Sequence, residues 1–138
     1  MKRDPDCIRA VMLKIEELQQ YTLDGDGCIE NHGLYLEELC EALPKYKKED
    51  IFYSLDLMEQ AEYISLSTQW FNNVLGHCAV NYMTFYGHEF LDSIRDSKRW
   101  KTIKSGLSSV RNFSLSAMSS IAEGVTSAAI DAYLEGRL

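Results

Sequence analysis

The sequence has few of the features that mark a secreted, disulfide-bonded or membrane-spanning protein. Only two of its 138 residues are proline. Its four cysteines, Cys7, Cys28, Cys40 and Cys78, are scattered along the chain. Because acidic residues and a proline directly follow the basic start Met1–Arg3, no secretory signal is expected. Glu123 and Asp131 interrupt the one apolar stretch of membrane length, so no membrane span is expected either. The sequence therefore predicts a cytoplasmic protein with reduced, mostly buried thiols.

Motifs for metal binding and catalysis are also lacking. The run at 24–27 resembles the start of a calcium loop, but neither register places both the required glycine and the required glutamate. The possible zinc ligands, which do not form two close pairs of fixed spacing, are Cys28, His32, His77 and Cys78. His88-Glu89 is followed by Asp92 where a zinc protease needs its second histidine. With no glycine-rich phosphate loop and no nucleophile elbow, we predict no enzyme activity, no metal and no cofactor.

Charge is distributed unevenly along the chain. The formal net charge is −7, and residues 1–69 carry seven basic and fifteen acidic side chains. A single basic cluster lies in the second half, and its members are Lys98, Arg99, Lys101, Lys104 and Arg111. An acidic protein binds nucleic acid only where such a patch is segregated on one face.

Hydrophobic periodicity predicts a single domain that is mainly α with a small β hairpin. We expect helices over 4–21, 34–43 and 48–61, a polar loop over 23–33, and strands over 62–67 and 79–84 with a loop around Asn72-Asn73 and Gly76 between them. A fourth helix should start after Gly87, and the chain should be mostly helical over 107–134. This order is typical of a winged-helix fold, a helix-turn-helix followed by a β wing. The predicted organisation is a winged-helix-like domain over 1–105 and a long C-terminal helix over 106–138 for oligomerisation or packing.

Two blocks resemble a known family. The first is Met1-Lys2-Arg3-Asp4 with the first helix, including Ile15-Glu16-Glu17; the second is Tyr86-Gly87-His88-Glu89-Phe90-Leu91-Asp92, followed by Trp100-Lys101. They resemble a family of small, functionally uncharacterised phage and prophage proteins with a winged-helix-like core. The resemblance implies a phage or prophage origin and a host bacterial cell, and it implies no activity.

The third predicted helix decides between DNA and protein as the partner. The acidic side chains of this segment are Glu49, Asp50, Asp56, Glu59 and Glu62, against two lysines. A net negative helix is repelled by phosphates, so we predict a non-catalytic interaction protein that binds a host or phage protein through these carboxylates, for example to inhibit a nucleic-acid-handling protein. The alternative is a winged-helix transcriptional regulator that contacts DNA through the basic cluster.

The C-terminal segment carries a stripe of small residues at a spacing of four, Ser116, Ser120, Gly124, Ala128 and Ala132. Small residues in register let a second helix approach closely. We therefore predict a homo-oligomer, and the residues expected at its interface are Met118, Ile121, Gly124, Val125 and Ala128. Packing of this helix on its own core is the equally weighted alternative.

Overall fold

The computed structural model describes residues 1–136 of the chain. Its helices are α1 (Pro5–Leu18), α2 (Leu36–Ala42), α3 (Lys48–Gln60), α4 (Phe85–Ile94), α5 (Ser97–Val110) and α6 (Leu115–Leu134). Its strands are β1 (Gln20–Leu23), β2 (Ile29–His32), β3 (Leu34–Tyr35), β4 (Ile64–Phe71) and β5 (Val74–Met83). The predicted class, mainly α with a small β component, is confirmed.

The strands form two antiparallel sheets. Strands β1 and β2 pair only with each other, and the second sheet has the order β3-β5-β4, with β5 in the centre. The register between β4 and β5 shifts twice, so that Asn81 and Gly76 are extra residues on β5 while β4 runs without interruption. The wing predicted from the sequence is thus a long hairpin, and β4 forms one edge of its sheet.

One hydrophobic core is shared by α1 to α6 and by the three-stranded sheet. Ile8, Met12 and Ile15 of α1 are fully buried at its centre, as are Ile51 and Leu55 of α3. The N-terminus of α1 is as predicted, because the Asp4 side chain accepts a hydrogen bond from the Cys7 amide and Pro5 occupies the first turn.

Several element boundaries differ from the prediction. Helix α1 ends at Leu18 rather than at residue 21, and the segment predicted as a polar loop over 23–33 contains part of the β1–β2 hairpin. The strands of the β4–β5 hairpin are longer than predicted because the turn uses only Asn72 and Asn73, both with positive φ angles (50° and 63°). Gly76 therefore lies inside β5 and not in a loop.

The C-terminal third also differs in detail. Helix α4 begins at Phe85, with Thr84 as its N-cap, so Gly87 lies within the first turn rather than before the helix. The predicted helical region over 107–134 is divided by Arg111, which has a φ of 53°, and by Ser114, which caps α6. Position 106, the predicted boundary between two parts of the chain, lies within α5.

Candidate functional site

The surface between α3 and the β4–β5 hairpin brings most of the predicted acidic residues beside exposed aromatic side chains. The chain reverses between Gln60 and Ile64, so α3 and β4 pack against each other in opposite directions. Phe52 of α3 meets Trp70 of β4 edge to face, with 5.7 Å between ring centroids. Asp56 and Glu59 follow Phe52 at helical spacings of four and seven, and therefore lie on the same side of α3. We call this region, with Phe71 and Val74 at the hairpin end, the α3–wing surface.

The carboxylates of the α3–wing surface have no cationic partner. Within residues 1–136, neither Asp56 nor Glu59 has a basic nitrogen within 4.0 Å, and Lys48, the cation at the start of α3, is 3.6 Å from Glu37. In the described part of the chain, Asp56 accepts a hydrogen bond from the Gln60 amide alone, at 3.1 Å. Negative charge on this surface is thus available to a partner.

The five predicted acidic residues do not form a single cluster. Glu49 and Asp50 lie in the first turn of α3, where their charge favours the positive end of the helix dipole. Asp50 lies about 120° around the helix from Asp56, on the flank facing α1. Glu62 lies in the turn after α3 with a φ of 63°, and its carbonyl accepts a 2.6 Å hydrogen bond from the Thr84 hydroxyl. Glu49, Asp56 and Glu59 are the members that lie on the side of α3 carrying Phe52.

The hairpin beside α3 is free of formal charge. Residues 63–87 contain no aspartate, glutamate, lysine or arginine, in a chain of which a quarter is charged. At the end of the hairpin, Trp70, Phe71 and Val74 are exposed by 52%, 64% and 66%. Large aromatic side chains dominate the binding energy of protein interfaces. This charge-free span was visible in the sequence, but its significance depends on knowing that it forms one hairpin.

The predicted basic residues are spread around α5 and partly engaged within the fold. Lys98 and Lys101 are exposed, whereas the Lys104 ammonium is 3.1 Å from the Asp6 carboxylate. Arg99 and Lys101 lie about 200° apart around the helix, and Arg111 ends it in a left-handed conformation. The five cations therefore do not share one face.

Two cations near the N-terminus join the basic region in space, which the sequence did not indicate. Lys2 and Arg3 line a groove of about 480 Å³ together with Arg111 and Phe113. Their separation of more than a hundred residues left no local signal for this juxtaposition.

The possible metal ligands do not form a metal site in the described part of the chain. His32 contacts the Thr22 hydroxyl at 2.7 Å, and His77 packs edge to face on Tyr35. Among residues 1–136, no group of three or more histidine, cysteine or acidic side chains is arranged to hold a metal ion. Burial, with nearby carboxylates, raises the pKa of the Cys78 thiol to about 11, and burial also raises the pKa of Cys7. Neither thiol is a ready nucleophile at neutral pH.

The residues predicted for oligomerisation divide between two faces of α6. Met118 is fully buried in the chain's own core, and Ile121 and Val125 pack against that core. Gly124 and Ala128 are exposed on the other side, and an added Cβ at Gly124 would meet nothing within 4 Å. No helix in the described part of the chain is long and apolar enough to cross a membrane.

Comparison with known proteins matches the chain to a family. A family model described as a hypothetical protein (DUF2513) matches residues 2–114, the span from α1 to the N-cap of α6. No curated protein and no solved structure matches the chain.

Proposed function

The chain belongs to the DUF2513 family of hypothetical proteins, and we propose that it is a non-catalytic interaction protein. In this proposal it binds a basic host or phage protein through the α3–wing surface. The observation that carries the proposal is the pairing of unneutralised carboxylates, Asp56 and Glu59, with the charge-free aromatic end of the β4–β5 hairpin. Such a surface offers aromatic anchors with a polar, negatively charged surround, the composition of many protein interfaces.

A winged-helix core is part of this proposal. Taken without the β1–β2 hairpin, the element order α1-β3-α2-α3-β4-β5, with β3 beside β5, agrees with a helix-turn-helix followed by a wing. In that arrangement α3 is the reading helix. A DNA-reading helix and wing gain affinity by neutralising phosphates, and this wing has no cation while this helix carries more carboxylates than ammonium groups. We propose that the architecture is used for protein recognition, in the cytoplasm of a bacterial host, by a phage or prophage product such as an inhibitor of a nucleic-acid-handling protein.

The proposal is tested by comparing a basic peptide with a DNA duplex as ligands of the full chain, using fluorescence anisotropy. We expect the peptide to bind more tightly than the duplex. The double variant Asp56→Asn, Glu59→Gln should weaken peptide binding about two- to thirtyfold, since partly exposed ion pairs contribute about 0.2–1 kcal/mol each. The matched control is Asp26→Asn with Asp131→Asn, which removes two exposed charges outside the surface. If both double variants weaken peptide binding equally, the peptide responds to the net charge of the protein and not to the α3–wing surface. If the duplex binds more tightly than the peptide, the proposal is wrong.

A second candidate function, DNA binding through α5, is favoured by one observation. Lys98 and Arg99 occupy the first turn of α5, where positive charge opposes the helix dipole. Because these two cations lower the stability of the helix that carries them, they are consistent with a role in binding a partner rather than in folding. Under this alternative, charge reversal of Lys98, Arg99 and Lys101 abolishes gel retardation of a duplex, and under the leading proposal it changes nothing in peptide binding.

Homo-oligomerisation is a further part of the proposal. The exposed face of α6 carries the small residues Gly124 and Ala128, and its last turns expose Ile130, Tyr133 and Leu134 by 53%, 69% and 75%. Burial of these side chains against a second copy would remove apolar surface from water.

A further inference from the structure

The β4 strand leaves one complete side of its backbone unpaired. Its eight residues, Ile64–Phe71, pair with β5 on one side, and within residues 1–136 no other backbone or side-chain group hydrogen-bonds to the β4 backbone. In an antiparallel pair, every second residue directs its N–H and C=O groups away from its partner. Strand β4 therefore presents a row of free donors and acceptors.

This edge lacks three of the usual protections against strand addition, namely charge, proline and a bulge. Natural edge strands are shielded by charged side chains, proline, bulges or a covering element. Strand β4 contains neither a charged residue nor a proline, and both bulge residues, Asn81 and Gly76, belong to β5. The edge is also long, because β4 has eight residues, whereas β3 at the opposite edge of the sheet has two. With no charge, proline or bulge residue of its own, β4 has an unpaired backbone edge that can accept a partner strand.

The two faces beside this edge differ in chemistry. Ile64 and Leu66 point into the core and Trp70 points to Phe52, so even-numbered side chains of β4 face α3. Odd-numbered side chains face the other side, where Ser65 and Ser67 receive hydrogen bonds from the Asn81 amide at 3.1 and 2.9 Å. A strand added to β4 would alternate in the same way, with every second side chain directed to the α3 side.

Resting on the proposed function, we propose that the partner binds as an added β-strand along β4, and that it is an extended basic segment with lysine or arginine at alternate positions. Those side chains lie on the α3 side, against Asp56 and Glu59, while the partner's backbone pairs with the free edge of β4. Main-chain hydrogen bonds supply affinity in this mode of recognition, and the side chains on each face supply specificity.

Charge favours this occupant over a second copy of the chain. If two β4 edges paired about a two-fold axis, both α3 helices would lie on the same face of the joined sheet. Asp56 and Glu59 of the two copies would then share that face without any cation from the hairpin, since residues 63–87 carry none. A basic segment instead neutralises carboxylates that the fold leaves unpaired.

The test uses the full chain and a ten-residue peptide in which lysine and valine alternate, with both ends blocked. Two further peptides carry N-methyl groups, one on every lysine and one on every valine. N-methylation removes the backbone donor without changing side-chain charge. In an added strand only one of the two sets points to β4, so we expect one methylated peptide to lose binding at least about tenfold and the other to bind like the parent. Amide hydrogen exchange should slow at alternate residues of β4 when the parent peptide binds.

The outcomes separate the binding mode from the proposed function. If both methylated peptides bind like the parent, or both lose binding equally, strand addition is wrong. The proposed function still stands in that case, provided that Asp56→Asn with Glu59→Gln weakens the parent peptide. If the parent peptide does not bind at all, both the proposed function and the strand-addition mode are wrong.

Discussion

At the scale of single residues, Gly87 positions α4 because it has no side chain. A Cβ at this position would overlap the carbonyl oxygen of Tyr63 and come within 2.7 Å of the Met83 side chain. The missing side chain lets the first turn of α4 pack directly on the segment before β4, where Tyr63 also stacks on Phe90 at 4.7 Å. Gly124, on the outer face of α6, has open space around it and no such role.

The two glycines should respond to alanine with opposite signs. Gly87→Ala should lower the free energy of unfolding by about 1–3 kcal/mol, because the backbone of Tyr63 must move to admit the methyl group. Gly124→Ala should raise it by about 0.5–1 kcal/mol, because alanine favours an exposed helix interior. Urea unfolding with unchanged m-values checks both. A stable Gly87→Ala protein would show that α4 does not need this close approach.

The sequence indicated that Gly87, Asp4 and Pro5 have structural roles, but it indicated the physical reason only for Asp4 and Pro5. Gly87 was expected to mark a corner before a helix, because a glycine before an amphipathic run usually does so. The structural reason, contact with the Tyr63 carbonyl, joins residues 24 positions apart and leaves no local pattern. Asp4 and Pro5 were predicted correctly because a cap and the residue beside it are local in sequence.

At the scale of elements, charged side chains of α1 hold α4 and α5 in place. The Asp6 carboxylate accepts a 2.8 Å hydrogen bond from the Trp100 indole N–H and pairs with Lys104 at 3.1 Å. Glu16 accepts hydrogen bonds from Arg95 at 2.6 and 3.0 Å. These contacts join the two sequence blocks around 1–17 and 86–101 across one interface.

This interface should make the protein sensitive to acid. Partial burial works against ionisation of Asp6, but hydrogen bonds from Trp100 and Lys104 lower its pKa overall, and Arg95 lowers the pKa of Glu16. Since these native-state values lie below the unfolded ones, their stabilisation is complete above about pH 5 and is lost as the pH falls through the lowered values. We expect the unfolding midpoint to fall in that range, and to fall less in Asp6→Asn with Glu16→Gln.

The control for acid sensitivity is Asp26→Asn with Asp131→Asn, which alters two carboxylates that contact no cation within residues 1–136. Its pH profile should match that of the parent chain. Identical profiles for all three proteins would show that the α1 contacts do not link stability to pH.

The β1–β2 hairpin was the element that sequence reading missed. Strands β1 and β2 expose both faces, including Tyr21, Leu23 and Ile29, so no alternation of buried and exposed residues signals a strand. The Asn31 side chain ties this hairpin to the Asn81 carbonyl at 2.9 Å, a contact across 50 positions. By contrast, α3 was predicted almost to the residue because its apolar spacing is regular.

At the scale of the whole molecule, α6 is both part of the core and a candidate surface for assembly. Met118 and Ala122 are fully buried, and Gly106 of α5 permits close packing, with its absent Cβ 3.2 Å from Ile121. The close approach that small residues allow is thus made within the chain at Gly106, while the small residues of α6 face outward. Oligomerisation, if it uses α6, must use the face with Gly124 and Ala128 and not the buried apolar stripe.

Sedimentation of the full chain and two arginine variants separates these two faces. We expect the parent chain to sediment as a dimer or larger assembly and Ala128→Arg to sediment as a monomer, because a charged side chain cannot be buried without a partner. Ser108→Arg, an exposed position on α5, is the matched control and should keep the parent mass. Met118→Ala should instead lower the free energy of unfolding by about 2–5 kcal/mol, since it empties space in the core. A monomeric parent chain would contradict the assembly prediction outright, and an Ala128→Arg protein of parent mass would move any interface away from α6.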